Sequence, residues 1–268
     1  MDIIHLSDFH FGDKEFKVDC MENIIHYVNS RKNHIDLIII TGDLTNRGRY
    51  DEYEGIKKYL DQIDIEKLIV PGNHDTKYNG ILNFEKFFGP RISKKVFERQ
   101  KVLALGLRSA KDDVKLAELG DLQLKFIIEQ FQQHLTKKKI LALHHHLISV
   151  PYAGRTWNTL IDAGEVLEII RMYNVDLVLM GHRHVPHVWN LNGTTLLYCG
   201  TSTSGKVRAN EPPSFNHIIF NDSILHVDIV NSYSLKREAL FKKDNKDIGF
   251  VKFRKTRLEH LLKAEILG

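Results

Sequence analysis

Hydrophobic and polar positions follow two alternating patterns along the first two thirds of the chain. Short apolar runs rich in β-branched residues predict strands buried on both faces, and segments with apolar residues three or four positions apart predict amphipathic helices. The predicted strands lie in DIIHLSD, IDLIIITGD, KLIVPGNHD, KVLALGL, KKILALHHH and VDLVLMGHRH. The predicted helices lie in VDCMENIIHYVNSRK, YDEYEGIKKYLDQI, FEKFFG, LGDLQLKFIIEQFQQHL and AGEVLEIIRMY.

The pattern changes after residue 184. The segments HVWNL, TTLLYCGTS, SFNHIIFN and SILHVDIV predict closely spaced strands joined by turns such as LNGT and FNDS. Alternating strands and helices followed by a run of strands predict a layered α/β domain, which we place at residues 1–233. Residues 234–268 are expected to form a basic extension that packs on or beside this domain and ends in an amphipathic helix with Leu258, Leu261, Leu262 and Ile266.

The composition indicates a soluble globular protein. The 268 residues are 43% hydrophobic and 27% charged. The sequence contains no apolar run of about 18 residues, so no membrane span is expected. The first residues lack the basic start of a signal peptide, and Cys20 and Cys199 match no disulfide framework or metal motif. We therefore expect a cytoplasmic protein.

Positive charge is concentrated near the end of the chain. The formal net charge is +4, whereas residues 236–257 alone carry +6 and the remainder carries −2. A basic segment of this kind can bind an anionic partner, although a solvated face is the commoner interpretation.

Polar residues with metal-binding side chains follow five of the predicted strands. In open α/β sheets, sites form beyond the carboxyl ends of the strands. Carboxylate, amide and imidazole ligands without thiolate suit Mn, Fe, Zn or Mg ions, and a shared Asp43 can bridge two of them. Paired ions activate a hydroxide and stabilise an in-line displacement at phosphorus. The five strand ends carry Asp8 and His10, Asp43, Asn73 to Asp75, His144 to His146, and His182 to His184.

The motifs DFH, GDLTNRG, GNHD, HHH and GHRH, in this order, resemble the calcineurin-like metallophosphoesterase superfamily. The stretches GDLTNRGRYDEY, LGDLQL and GTSTSG…PPSFN are similar to bacterial class III cyclic-nucleotide phosphodiesterase-like members. The resemblance covers roughly residues 1–230 and implies a four-layer α/β/β/α sandwich of two mixed sheets, the metallo-dependent phosphatase fold, with two metal ions between the strand ends.

The resemblance also implies the ligands of two divalent ions. Leu147 stands where the motif of the fourth strand end has proline, an alignment that selects His145 but leaves His144 open as the ligand. The expected ligands of the first ion are Asp8, His10, Asp43 and His184, and those of the second are Asp43, Asn73, His145 and His182.

Two further roles concern the substrate. The resemblance implies that His74 assists the leaving group and is oriented by Asp75. Asn46 stands where many members have an aspartate, so this loop is not expected to supply a carboxylate partner for His74. Arg183, between two expected ligands, is a candidate for phosphate binding or for a surface role, and Asn73 is a second substrate contact. Tyr152 and Trp157 can form a substrate wall or pack in the core.

The expected function is hydrolysis of phosphodiester bonds by a hydroxide activated by two ions of Mn, Fe or Zn, with a cyclic nucleotide or similar small diester as substrate. A first alternative is a larger anionic substrate, either a lipid-linked nucleotide pyrophosphate such as UDP-diacylglucosamine or nucleic acid. It rests on the basic extension and its apolar residues Phe241, Phe250, Val251 and Phe253, which could meet an anionic membrane surface or a phosphate backbone. A second alternative is a non-catalytic scaffold, which would be expected to have lost ligands. The sequence leaves the oligomeric state open.

Overall fold

The structure is a computed structural model that describes residues 1–114, 116–154, 157–244 and 248–250. Within these ranges the chain forms the strands β1 (Asp2–Leu6), β2 (Leu37–Ile40), β3 (Lys67–Ile69), β4 (Ser93–Phe97), β5 (Val102–Gly106), β6 (Lys138–Ala142), β7 (Leu177–Met180), β8 (His187–Leu191), β9 (Thr194–Tyr198), β10 (Ser214–Phe220), β11 (Ile224–Asn231), β12 (Arg237–Asp244) and β13 (Ile248–Phe250). Its helices are α1 (Val18–Asn29), α2 (Tyr50–Leu60), α3 (Gly80–Phe88), α4 (Asp121–Gln133) and α5 (Ala163–Met172).

The strands form two mixed sheets. The first sheet has the order β13-β12-β11-β10-β1-β2-β3, in which β1, β2 and β3 are parallel and β10 to β13 pair antiparallel. The second has the order β4-β5-β6-β7-β9-β8, with β5, β6, β7 and β9 parallel and the two edge strands antiparallel. Helical crossovers join β1 to β2, β2 to β3, β5 to β6 and β6 to β7, whereas β7 is joined to β9 through the antiparallel strand β8.

Strand alternation creates the layers. On β2, Ile38 packs toward α1 and α2, whereas its neighbour Ile39 packs between the sheets against residues such as Ala142 and Leu179 of the second sheet. The far face of the second sheet packs on α4 and α5 through residues such as Phe131. The predicted four-layer α/β/β/α sandwich is therefore confirmed.

Three strands were not predicted. The strand β4 lies at an edge of the second sheet, and β12 and β13 lie at an edge of the first; β4 and β12 are rich in lysine or arginine. Half-exposed edge strands do not produce the apolar runs that identify central strands. The helix α3 also begins at Gly80 rather than at the predicted Phe84.

The predicted basic extension is in part a continuation of the first sheet. The predicted boundary after residue 233 falls in the turn before β12, and both Leu240 and Phe241 of this strand are buried between the sheets. The predicted helix near the end of the chain, together with Val251 and Phe253, lies outside the described residues. None of the helices that the structure describes is long and apolar enough to cross a membrane.

Candidate metal centre

The strand ends of the two sheets converge and bring the predicted ligands together. Left-handed backbone conformations are uncommon outside glycine, cost about 1–3 kcal/mol each and persist where the surrounding structure enforces them. They occur here at five predicted ligands, with φ of 55° at Asp8, 54° at His10, 52° at Asp43, 76° at His182 and 56° at His184.

A glycine allows the two sheets to approach at this point. A Cβ on Gly181, which follows β7, would lie 1.9 Å from the Ser7 hydroxyl and 2.6 Å from Oδ2 of Asp8. The Ser7 hydroxyl donates to Asp8 Oδ2 at 2.5 Å, and the His182 backbone N–H donates to the same oxygen at 2.9 Å. Gly181 therefore brings the ligand-bearing loop of the second sheet onto that of the first.

The first donor group consists of Asp8, His10, Asp43 and His184. Nε2 of His184 lies 3.3 Å from Oδ1 of Asp8 and 2.9 Å from Nε2 of His10. Nε2 of His10 in turn lies 3.8 Å from carboxylate oxygens of both Asp8 and Asp43. Donor atoms of Asp8, His10 and His184 thus lie within 4.8 Å of one another, and Asp43 reaches the same His10 nitrogen.

The second donor group consists of Asp43, Asn73, His144 and His182. Nε2 of His144 lies 3.4 Å from Oδ2 of Asp43, 3.1 Å from Oδ1 of Asn73 and 3.3 Å from Nδ1 of His182. The last nitrogen lies 2.9 Å from the same Asn73 oxygen. Asp43 Oδ2 belongs to both groups, so the two groups are adjacent.

Three imidazoles are oriented by backbone carbonyls. Nδ1 of His144 lies 2.6 Å from the Thr41 carbonyl oxygen, Nδ1 of His184 lies 2.5 Å from the Lys206 carbonyl oxygen, and Nε2 of His182 lies 2.9 Å from the Trp157 carbonyl oxygen. A carbonyl can only accept, so each hydrogen bond fixes the proton on that nitrogen. In the neutral ring, the other nitrogen, which belongs to a donor group, carries the lone pair that a ligand bond requires, as in metal sites.

The residues fit divalent metal ions. Oδ1 of Asp8 is buried yet has no hydrogen-bond partner among the described residues, a costly state that a cation would relieve. Burial would raise the pKa of Asp8, but His184 and His144 together lower it to about 2. Burial lowers the pKa of both His10 and His182 to about 3. The ionised carboxylate and neutral imidazoles are the forms that bind metal.

His144 and His145 occupy different surroundings. Burial acts to lower the pKa of His144, but Asp43, Asp8 and the Thr41 carbonyl together raise it to about 9, so a bound ion would have to displace this proton. His145 instead places Nδ1 3.0 Å from the Ser109 hydroxyl, while its ring contacts that of His182 at a centroid distance of 4.3 Å. Sequence spacing favoured His145, and a nitrogen of His145 does lie within 4.8 Å of nitrogens of His144 and His182, but the contacts with Asp43 and Asn73 come from His144.

His74 and Asp75 are placed differently from each other. Nδ1 of His74 lies 2.7 Å from the Asn46 carbonyl oxygen and 2.9 Å from Nζ of Lys77, so Nε2 is the nitrogen that remains for a substrate. The buried Asp75 carboxylate instead accepts hydrogen bonds from the backbone N–H groups of Leu44, Thr45 and Gly72, so it joins the loops after β2 and β3. The predicted orientation of His74 is thus supplied by a backbone carbonyl, without a contact from Asp75.

The candidate metal centre opens into a cleft with two lobes. One lobe, of about 450 Å³, is bordered by the half-exposed Trp157 together with Tyr78 and Val114. The other, of about 550 Å³, contains donors of both groups and is bordered by Lys206, Val207 and Arg208. Arg183 borders both lobes, a position from which it could contact a substrate phosphate.

Several supporting residues were missed from the sequence. The Ser109 hydroxyl accepts the backbone N–H groups of His144 and His145, and the Thr201 hydroxyl donates to the Asp8 carbonyl at 2.6 Å. Thr201, Lys206 and Arg208 lie in or just after the GTSTSG stretch, so a signal for this loop was present. No pattern marked Ser109, because a serine after a strand is ordinary loop chemistry.

Solved structures with the same fold support this architecture. A purple acid phosphatase, PPD1 of yellow lupin, matches with a TM-score of 0.71 and 14% identity over 89% of this chain and 52% of that chain. GAP50, described as the anchor in the inner membrane complex of Plasmodium, matches with a TM-score of 0.66 and 13% identity over 98% of this chain and 94% of that chain. The two likenesses concern the fold alone.

Fold and donor groups together define a metal-dependent phosphohydrolase. The family model for calcineurin-like phosphoesterases matches residues 1–186. The chain belongs to the calcineurin-like phosphoesterase family, which confirms the predicted family and enzyme class.

Curated relatives are named as phosphodiesterases. A probable cyclic nucleotide phosphodiesterase of Vesicomyosocius okutanii is 25% identical over 82% of this chain and 94% of the relative. A probable glycerophosphodiester phosphodiesterase, GpdQ, of Arcobacter nitrofigilis is 28% identical over 69% of this chain and 72% of the relative. The 3',5'-cyclic adenosine monophosphate phosphodiesterase CpdA of Escherichia coli K12 is 26% identical over 73% of this chain and 74% of the relative.

Proposed function

We propose that this chain binds two divalent metal ions and hydrolyses a small phosphodiester, with a cyclic nucleotide as the first candidate. The observation that supports this most directly is the pair of adjacent donor groups that share Oδ2 of Asp43. A carboxylate oxygen between two cations lowers their mutual repulsion, which permits the short spacing of about 3.5–4 Å used in two-metal hydrolysis.

The proposed ligands follow the two donor groups. Asp8, His10, Asp43 and His184 would hold the first ion, and Asp43, Asn73, His144 and His182 the second. His144 takes the place that the sequence analysis gave to His145, because its Nε2 lies 3.4 Å from Asp43 and 3.1 Å from Asn73. Ions bound there would activate water and neutralise negative charge on the phosphodiester.

His74 is proposed to assist the leaving group. Its ring borders the larger lobe and packs edge-on against His10 at a centroid distance of 4.7 Å. With Nδ1 directed at the Asn46 carbonyl, the imidazolium form of His74 can donate its Nε2 proton to the departing oxygen. His74 would therefore contribute most when that oxygen is a poor leaving group.

The size of the cleft and the relatives support a small diester. Lobes of about 450 and 550 Å³ suit a nucleotide-sized ligand. Two of the relatives reported above are named for cyclic nucleotides and one for glycerophosphodiesters, so both substrate types belong in the first assay.

A substrate panel with Mn²⁺ added tests the proposal. We expect hydrolysis of bis-p-nitrophenyl phosphate and of cyclic AMP, with slower turnover of phosphomonoesters. Exposed Asp61, which pairs with Lys57 far from the cleft, provides a matched control: Asp61→Ala should retain activity while Asp43→Ala loses it. Absence of hydrolysis of every diester in metal-loaded protein would contradict the proposal and favour the scaffold alternative.

The larger anionic substrates remain a second candidate. Single-stranded DNA and a nucleotide pyrophosphate belong in the same panel, because Lys242 and Lys243 of β12 continue a basic segment along the edge of the first sheet. Faster turnover of either one than of cyclic AMP would favour this alternative.

A further inference from the structure

Two arginines line the same wall of the cleft beside the candidate metal centre. Arg183 is half-buried and lies between the predicted ligands His182 and His184. Arg208 is exposed and comes from the loop after β9. Both border the lobe that contains His10, Asp43 and other donors, so both can reach a substrate that occupies this lobe.

The two guanidinium groups are close to each other. A Cβ built on Gly154 would lie 2.2 Å from Nη2 of Arg183 and 3.6 Å from Nη1 of Arg208, so the groups can be no further apart than these two distances together. Burial and the positive charge of Arg208 lower the pKa of Arg183. Gly154, at φ +91°, provides both the turn and the space for Arg183.

This pair of positive charges is not neutralised by carboxylates in the described part of the chain. Nε of Arg183 donates to the Ala153 carbonyl oxygen, and no ion pair among the described residues involves Arg183 or Arg208. Lys206, in the same wall, differs because its ammonium pairs with Asp13 at 2.5 Å. The two arginines therefore remain available for an anion.

Uncompensated like charges beside a cleft are costly in the free protein and favourable when an anion binds between them. A phosphate presents several acceptor oxygens and matches the fork of donors on each guanidinium. The scissile phosphodiester carries a single negative charge, and the proposed metal ions would already neutralise it. The positive charges of the two arginines can therefore bind a further anionic group of the substrate.

We propose that Arg183 and Arg208 form a subsite for a second phosphate, so that the preferred substrate carries another phosphate group next to the scissile diester. This inference rests on the proposed function, because it concerns the same cleft. Within the proposed phosphodiesterase activity, it favours substrates with at least two phosphates, so cyclic AMP, which has one, would be hydrolysed less efficiently than a diester or pyrophosphate with a second phosphate. The second phosphate is either a terminal monoester or the neighbouring phosphate of a pyrophosphate.

Matched substrates test the subsite. The dinucleotides pApA and ApA share one scissile linkage and differ in a terminal phosphate, and UDP-glucose supplies the pyrophosphate case. With Mn²⁺-loaded full-length protein, we expect kcat/KM for pApA or for UDP-glucose to exceed that for ApA by about tenfold or more, the value of a charge-assisted contact. The substrate that gains identifies the position of the second phosphate.

Variants connect the preference to the arginines. In Arg208→Ala, the ratio of kcat/KM for the preferred substrate to kcat/KM for ApA is expected to fall to about one, mainly through KM. Arg208→Lys should restore part of this ratio. Because Arg208 is exposed, its replacement should leave the fold intact, which circular dichroism checks. Arg171→Ala is the matched control, since Arg171 is an exposed arginine on α5 that pairs with Glu168.

Each outcome decides the inference. Equal kcat/KM for all three substrates, or an equal loss on ApA and pApA in Arg208→Ala, would overturn the subsite while leaving the proposed function intact. Failure to hydrolyse bis-p-nitrophenyl phosphate would instead contradict the proposed function. In that case, isothermal titration of the Mn²⁺-loaded protein with pApA and ApA gives the preference as a ratio of dissociation constants.

Discussion

At the scale of single residues, three of the imidazoles at the candidate metal centre use both of their nitrogens. His144, His182 and His184 donate from one nitrogen to a backbone carbonyl and present the other to a carboxylate or amide oxygen. The backbone therefore sets the direction of each ligand before any ion binds. The loops around the centre also hold five ligands in costly left-handed conformations.

The role of His74 leads to a prediction on leaving groups. His74→Ala should slow hydrolysis of cyclic AMP by roughly 100-fold or more, since it removes a group that stabilises a poor leaving oxygen. Nitrophenolate leaves readily, so bis-p-nitrophenyl phosphate should lose far less. Steady-state kinetics on both substrates give the comparison, and an equal loss on both would count against this role.

At the scale of elements, the loops after β2 and β3 are joined by one buried carboxylate. Asp75 accepts hydrogen bonds from Leu44, Thr45 and Gly72, and this contact fixes Asp43 relative to Asn73. Burial, together with the nearby charge of Asp43, raises the pKa of Asp75 to about 7. The carboxylate thus holds two ligand loops at an electrostatic cost.

Asp75→Ala should loosen both loops. It leaves several buried N–H groups without acceptors, so we expect the free energy of unfolding to fall by about 3 kcal/mol. Metal affinity should drop about 10- to 100-fold, as for other outer-shell partners. Urea unfolding and Mn²⁺ titration measure these effects. If Asp75 instead acted by orienting His74, the loss would appear as leaving-group dependence with unchanged metal affinity.

The interface between the sheets contains a buried imidazole outside both donor groups. His5 of β1 contacts the Thr41 hydroxyl at 2.9 Å and the Asn216 amide at 3.2 Å. Burial lowers the pKa of His5 from 6.5 to about 3. Between these two values the unfolded chain binds a proton that the folded chain does not, so stability falls as the pH falls.

His5→Gln should weaken this acid sensitivity. The wild-type free energy of unfolding contains a contribution from His5 of up to about 1.4 kcal/mol per pH unit between pH 6.5 and 3, and the variant lacks it. Urea unfolding at several pH values gives the slopes. Other buried histidines, such as His10, titrate in the same direction, so only the difference between the two slopes is diagnostic. Equal slopes would contradict the assignment.

At the scale of the whole molecule, the two sheets assemble one site from strand ends that are distant in sequence. Asp8 and His184 are 176 positions apart along the chain, yet their side chains lie 3.3 Å apart. The far edge of the first sheet is completed by β12 and β13. The basic end of the chain therefore begins as part of the fold.

Truncations separate the folded part of this end from the rest. Ending the chain after Tyr233 removes β12, including the buried Leu240 and Phe241, and should cost about 3–6 kcal/mol of stability. Ending it after Phe250 should preserve both stability and small-diester hydrolysis. Thermal unfolding and bis-p-nitrophenyl phosphate assays report the two properties. Equal stability of the two truncated chains would show that β12 does not support the core.

The sequence predicted the central strands better than the outer strands, and it did not decide between adjacent candidate ligands. Buried strands such as β2 carry four consecutive apolar residues, and the ligand motifs follow these strands directly. The sandwich and most of the donor residues could therefore be predicted from the sequence. The strand β12 was missed because only two of its eight residues are buried and charged residues flank them. The choice between His144 and His145 depends on the side toward which adjacent residues point as the chain leaves β6, which spacing alone does not determine.

Titration of metal-free protein with Mn²⁺ tests the central claim, two ions that share Asp43, most directly. The protein is titrated while bis-p-nitrophenyl phosphate hydrolysis and bound metal are measured together. We predict that activity rises to a plateau at two bound ions per chain, and that Asp43→Ala neither binds two ions nor reaches the wild-type rate. Full activity with a single bound ion, or wild-type binding and turnover in Asp43→Ala, would contradict it.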